Sequence, residues 1–129
     1  MNIPENCKYT ESNEWINLEG KTSTIGITDY AQDQLSDIVF AEIVVSEGDS
    51  IKKGDTIATI ESVKAAADVY SPVSGNVVSV NEALGGAPEV INNDPYGAAW
   101  IIKVELSDPS ETNALLDASS YDKLIQSQQ

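Results

Sequence analysis

The segment Glu61-Ser62-Val63-Lys64-Ala65-Ala66-Ala67-Asp68-Val69-Tyr70-Ser71-Pro72-Val73-Ser74-Gly75 is the most informative part of this 129-residue chain. It continues a β-rich run, Thr56-Ile57-Ala58-Thr59-Ile60-Glu61-Ser62-Val63, and leads into a second run, Asp68-Val69-Tyr70-Ser71. Lys64 stands ten residues after Gly54 and eleven before Gly75, near the middle of a predicted hairpin. Three consecutive alanines could instead nucleate a helix, because alanine has the best helix propensity. The flanking β-branched residues and the shortness of the stretch favour a turn.

On the N-terminal side, Glu47-Gly48-Asp49 and Lys53-Gly54-Asp55 mark turns, and Asp37 to Val45 has strand character. Residues 14–18 and 22–27 alternate around Glu19-Gly20-Lys21 and predict another hairpin. Between these lies Thr28-Asp29-Tyr30-Ala31-Gln32-Asp33-Gln34-Leu35, a short helix with Thr28 as its cap and Asp29 in its first turn. On the C-terminal side, Asn76-Val77-Val78-Ser79-Val80-Asn81 predicts a strand. Gly85-Gly86-Ala87-Pro88 and Asn92-Asn93-Asp94-Pro95-Tyr96-Gly97 predict loops, and Trp100-Ile101-Ile102-Lys103-Val104-Glu105 a last strand. Asp108-Pro109-Ser110-Glu111 has the cap, N1 proline and third-position glutamate of a helix start, with Leu115 and Leu116 as its apolar face. A second helix is expected from about Ser119 to Ile125, with Tyr121, Leu124 and Ile125 inward. Short strands separated by glycine turns imply a mainly β sandwich or barrel in one domain, residues 1–129, with its core over about 9–106 and C-terminal helices over about 108–125. Trp15, Trp100, Phe40, Tyr30 and Tyr96 are read as core and loop anchors rather than a recognition patch.

Composition excludes many functions. There are 21 acidic residues against 7 basic ones, a formal net charge of −14, and every basic residue is a lysine. Nucleic acid and anionic membranes are therefore not expected as partners, since both require cationic clusters. With no histidine there is no near-neutral titrating side chain, no Ser-His or Cys-His nucleophile and no imidazole metal ligand. With no arginine there is no bidentate anion clamp. No catalytic residue and no metal site is assigned; a carboxylate pair could still act as acid and base or hold calcium, but no loop has the spacing of an EF-hand. Cys7 is the only cysteine, so no internal disulfide can form, and nothing in the chain activates it as a nucleophile. No apolar run approaches the roughly 20 residues of a membrane span. Together with the opening Met1-Asn2-Ile3-Pro4-Glu5-Asn6, which has no targeting pattern, this leads to the expectation of a bacterial cytoplasmic protein.

A lysine at a hairpin tip is usually just a solvated surface residue. The setting of Lys64 is distinctive because Val63 and Ala65 beside it are small and apolar, and the nearest lysines in sequence, Lys52 and Lys53, belong to an earlier turn. A free lysine amine with a pKa of about 10.4 has no special reactivity, so an enzyme acylating it must supply an activated acyl group.

The 61–75 segment resembles the lipoyl-attachment segment of glycine cleavage system H proteins. Gly26-Ile27-Thr28-Asp29-Tyr30-Ala31-Gln32, Asp37-Ile38-Val39-Phe40, Val80-Asn81-Glu82-Ala83-Leu84, Asn93-Asp94-Pro95-Tyr96-Gly97 and Leu106-Ser107-Asp108-Pro109 also resemble that family in order and spacing, so the likeness spans roughly residues 9–125. A biotinyl carrier would be expected to have methionines where Val63 and Ala65 stand. The resemblance implies a lipoyl/biotinyl-like barrel-sandwich hybrid with a short internal helix and two short C-terminal helices. It also implies a non-enzymatic lipoyl carrier with lipoate in amide linkage to Lys64, attached by a lipoate ligase or lipoyl transferase. Such a carrier would shuttle an aminomethyl group from glycine decarboxylase (P protein) to a tetrahydrofolate-dependent aminomethyltransferase (T protein), and electrons to dihydrolipoamide dehydrogenase (L protein). A lipoyl relay that donates lipoate to other enzyme complexes is the alternative within the same fold.

A cargo that hydrolyses in water calls for a sheltering cleft that accepts a cationic amine. By resemblance, Ser12 and Glu14 line that cleft, and Asp68 is a further candidate for the same wall. A carboxylate and a hydroxyl suit an ammonium group. The chain departs from the family at Asn13, where members commonly have histidine, and at Gln34, where some do.

Overall fold

The computed structural model describes residues 1–128. The chain runs β1 (Lys8–Tyr9), β2 (Glu14–Glu19), β3 (Thr22–Ile27), α1 (Asp29–Leu35), β4 (Ile38–Ile43), β5 (Ser50–Ile51), β6 (Thr56–Ser62), β7 (Ala66–Tyr70), β8 (Gly75–Val80), α2 (Ala83–Gly86), α3 (Val90–Asn93) and β9 (Ile102–Leu106). A 3₁₀ turn at Pro109–Ala114 and helix α4 at Ala118–Ser127 follow. Two antiparallel sheets result: a six-stranded one ordered β1-β2-β3-β9-β8-β5 and a three-stranded one ordered β4-β6-β7. The mainly β class is as expected, and of the sandwich or barrel that the strand pattern left open the chain forms two separate sheets.

Both sheets contribute to one apolar cluster. Ile16, Ile25, Ile102 and Val104 from the larger sheet and Ala41, Ile57, Ile60 and Val69 from the smaller are all buried in it. Alternation along the strands produces this: in β9, Ile102, Val104 and Leu106 are buried and Glu105 between them is exposed. At Gly75 the β8 and β9 backbones approach too closely for a side chain, because a Cβ there would collide with the carbonyl oxygen of Glu105 on β9 and with Val104.

A second cluster, of Cys7, Tyr9, Trp15, Tyr30, Tyr121 and Ile125, fills the space under α4. Tyr9 stacks on Tyr121 with ring centroids 4.6 Å apart and planes 9° from parallel. Burial raises the pKa of the Cys7 thiol, which keeps it neutral and unreactive. Thr28 caps α1 as expected, its hydroxyl accepting the Ala31 N–H at 3.1 Å. Among the described residues no helix is long and apolar enough to cross a membrane.

Several expectations need correction. The glycine-rich stretch at 85–88 and the asparagine-rich one at 92–97 are not wholly loop: α2 and α3 are single turns there, each pinned by one buried side chain, Leu84 and Ile91. The first C-terminal element is a 3₁₀ turn capped by Asp108, which accepts the Ser110 N–H, and it ends before Leu115. Glu111 does not reach back to that cap; its carboxylate accepts from the Ser74 N–H and hydroxyl at 2.7 and 2.9 Å, joining the turn to the start of β8. The last strand begins at Ile102, leaving Trp100 half-buried beneath the Lys103 ammonium, 5.0 Å from its ring centre. Phe40 is not a core anchor, because it is 43% exposed.

Candidate functional site

Lys64 lies where the sequence places it, in the turn between β6 and β7. The strands pair through Thr59 opposite Asp68, Ile60 opposite Ala67 and Glu61 opposite Ala66, and residues 62–65 close the turn. Ser62 organises this turn. Its N–H donates to the Ala65 carbonyl at 2.7 Å, and its hydroxyl accepts the N–H of Lys64 at 3.3 Å and of Ala65 at 3.0 Å. The Val63 N–H donates to the Asp37 carbonyl at 3.0 Å, tying the tip to the approach to β4. Lys64 enters these bonds through its backbone, and its side chain is exposed. The result is a fixed turn that offers one amine to solvent.

A cleft of about 170 Å³ opens where β2, α1, β6 and β7 meet. Ser12, Asn13 and Glu14 form one wall, and Ala67, Asp68 and Val69 another. Ile27, Ala31, Leu35 and Ile60 supply the apolar lining, and Gln34 completes it. The structure therefore brings Ser12, Glu14 and Asp68 together although more than fifty residues separate Asp68 from Glu14 in the chain. Lys64 does not line this cleft; it belongs to the hairpin whose second strand forms one wall.

Glu14 is the unusual group here, a carboxylate only 2% exposed. One of its oxygens accepts from the hydroxyls of Thr10 at 2.5 Å and Ser12 at 2.6 Å, and the other accepts the Tyr70 N–H at 3.2 Å. The Thr10 hydroxyl oxygen in turn accepts the Glu14 N–H at 3.0 Å, which seats the side chain against its own strand. All these partners are neutral. Removal from water outweighs them and raises the Glu14 pKa above the ordinary glutamate value. Such a site stabilises an incoming cation, because an ammonium supplies the opposite charge that the carboxylate lacks. Asp68 is more exposed, and its carboxylate accepts from the Thr59 hydroxyl at 3.2 Å.

Sequence reasoning missed Thr10 and the Tyr70 N–H as holders of Glu14. Thr10 was recoverable, since Thr10-Glu11-Ser12-Asn13-Glu14 places three polar side chains at every second position at a strand entry; the Tyr70 contact depends on packing between the two sheets. It also missed Tyr121, whose hydroxyl donates to Asn13 Oδ1 at 2.9 Å and lies 2.7 Å from the Thr28 hydroxyl. Asn13 and Gln34, the two departures from the resembled family, both line the cleft. Asn13 has φ of 72°, a left-handed backbone that asparagine tolerates better than most residues.

Comparison with known proteins finds relatives along almost the whole chain. The family described as Glycine cleavage H-protein matches residues 7–128. The chain is 53% identical over 125 residues to the glycine cleavage system H protein of Acidobacterium capsulatum, an alignment covering 97% of this chain and 95% of the relative. It also superposes on the crystal structure of a glycine cleavage system H protein from Mycobacterium marinum with a TM-score of 0.87 and 33% identity, over 96% of this chain and 99% of that one. A hairpin presenting one lysine, a cleft holding a buried carboxylate, and these similarities along almost the whole chain lead to one conclusion: the chain belongs to the glycine cleavage H-protein family.

Proposed function

We propose that this chain is a lipoyl carrier in which lipoate is joined by an amide bond to Lys64, and that it carries an aminomethyl group between a glycine decarboxylase and a tetrahydrofolate-dependent aminomethyltransferase before passing electrons to dihydrolipoamide dehydrogenase. The observation that carries this reading is the exposed Lys64 side chain on a turn whose backbone is fixed by Ser62 and Asp37. Amide formation removes the lysine charge, so the modified carrier is one unit more negative than the −14 of the bare chain. The lipoyl group, when bound, supplies a dithiolane that can take up a carbon unit and an electron pair, chemistry that a chain with one buried cysteine and no histidine lacks.

The cleft residues fit the loaded arm. Ile27, Ala31, Leu35 and Ile60 pack against an alkyl chain and exclude water, while Glu14 and Ser12 hold a cationic amine at its end, with Asp68 on the facing wall. The chain itself performs no bond chemistry: it presents, shelters and releases.

Intact-mass measurement on protein from a lipoate-replete native host tests the attachment. Wild type is expected to gain the mass of one lipoyl group and Lys64→Arg to gain none; an unmodified wild type refutes the reading.

A further inference from the structure

Most exposed apolar side chains are scattered, but three gather beside the lysine turn: Val39 at 56%, Phe40 at 43% and Val63 at 66% exposure. Their exposure has a structural cause. The β4–β6 register slips, with Ile38 opposite Ser62 and Phe40 opposite Glu61, so Val39 is an extra residue in β4. A bulge of this kind breaks alternation and re-aims side chains. Two successive apolar residues consequently leave the core between the buried Ile38 and Ala41. The Val63 N–H bond to Asp37 couples the lysine turn to the same corner. Phe40 also borders a groove of about 470 Å³ shared with Glu42 and Glu82. The exposed carboxylates of Asp37 and Glu42 lie two residues from Val39 and Phe40 along the chain, and exposed Glu61 stands opposite Phe40 in the strand register.

We infer that the Val39–Phe40–Val63 patch is the docking surface for the enzyme that acylates Lys64, and that this enzyme meets it with an apolar recess rimmed by cations. The inference rests on Lys64 being the acylated residue. A bare lysine has a short reach, so an enzyme that captures its amine must press its own surface against the residues around the turn. Enzymes served later by the modified arm approach across a longer tether and escape that constraint. Charge selects the same kind of partner, because an acidic rim on a chain of net charge −14 repels a second copy of itself and attracts a basic face. The chemistry at the docked site is acyl transfer from an acyl adenylate. The lysine nitrogen attacks the acyl carbon, a C–N bond forms, the C–O bond to the phosphate breaks, AMP leaves, and the former ammonium gives up two protons to water.

The test uses the full chain with purified lipoate ligase, lipoate and ATP, following acylation by intact mass. Val39→Ser/Phe40→Ser/Val63→Ser is expected to raise KM for the carrier by about tenfold with kcat preserved, while Val78→Ser, an exposed apolar residue on β8, leaves both unchanged. If the triple variant melts early, Val63→Ser alone, a change at an exposed turn position, carries the same expectation at about threefold. Asp37→Asn/Glu42→Gln should flatten the salt dependence of KM. A folded variant acylated with wild-type KM, or an equal rise in Val78→Ser, overturns the inference. A wild-type chain that accepts no acyl group refutes the Lys64 reading instead.

Discussion

Glu14 illustrates how one residue's environment decides its use. Three neutral donors hold the carboxylate in a nearly closed site, and desolvation still dominates its titration. Because its pKa is raised, the folded chain binds the Glu14 proton more tightly than the unfolded chain does. Stability contributed by this group is therefore complete below the ordinary glutamate pKa and declines as pH rises from there through the raised value. Carbon-13 titration of the Glu14 carboxyl in unmodified protein should give a midpoint above the ordinary glutamate range, and Ser12→Ala should move it higher by removing a donor to the ionised form. A cationic cargo in the cleft should move it back down. Conversely, the hold on that cargo should weaken as pH falls through the Glu14 midpoint, seen as faster loss of the one-carbon unit to water. A midpoint in unmodified protein at or below the ordinary value would show that the carboxylate is better solvated than its burial implies.

At the scale of elements, α4 acts on the cleft from behind. The Tyr121 phenol, its pKa pushed up to about 12 chiefly by burial, stays protonated and donates to Asn13. Its oxygen is then free to accept from the Thr28 hydroxyl, whose own oxygen caps α1 through Ala31. One hydroxyl thus holds α4, the entry to β2 and the first turn of α1 together, and the last two are cleft walls. Tyr121→Phe should cost about 1 to 2 kcal/mol in urea unfolding, since it leaves a partly buried amide oxygen without its donor while keeping the Tyr9 stack. Gly75→Ala should cost more, on the order of 3 kcal/mol, because the added methyl meets β9 backbone, which cannot rotate aside as a side chain can. A Gly75→Ala chain as stable as wild type would mean that β8 and β9 separate more easily than their pairing suggests.

For the whole molecule, the excess of 21 acidic over 7 basic residues has two effects. It keeps copies apart, and it steers a carrier toward partners with basic docking faces. Transfer between the loaded carrier and its partner enzymes should slow as ionic strength rises from about 0.01 to 0.15 M, where the screening length falls from about 30 to 8 Å. Stopped-flow rates at several salt concentrations measure this, and rates indifferent to salt would reduce the acidic surface to a matter of solubility.

What the amino-acid order determined by itself was local. The Glu19-Gly20-Lys21 turn, the Thr28 cap, the β6–β7 hairpin and the position of Lys64 within it follow from alternation and turn chemistry acting over a few residues. Likeness of motifs added the expected roles of Ser12, Glu14 and Asp68. Only the tertiary structure decided that these three share a cleft with α1, that the Tyr70 N–H helps hold the buried Glu14, and that Tyr121 braces the walls. It alone decided, too, that Leu84 and Ile91 pin single helical turns in stretches that look like loop, and that a register slip turns Phe40 out of the core. The physical reason is common to all of these: each depends on which segments pack or pair across long separations, and local pattern encodes the preference of a residue for a surface without naming the partner that covers it.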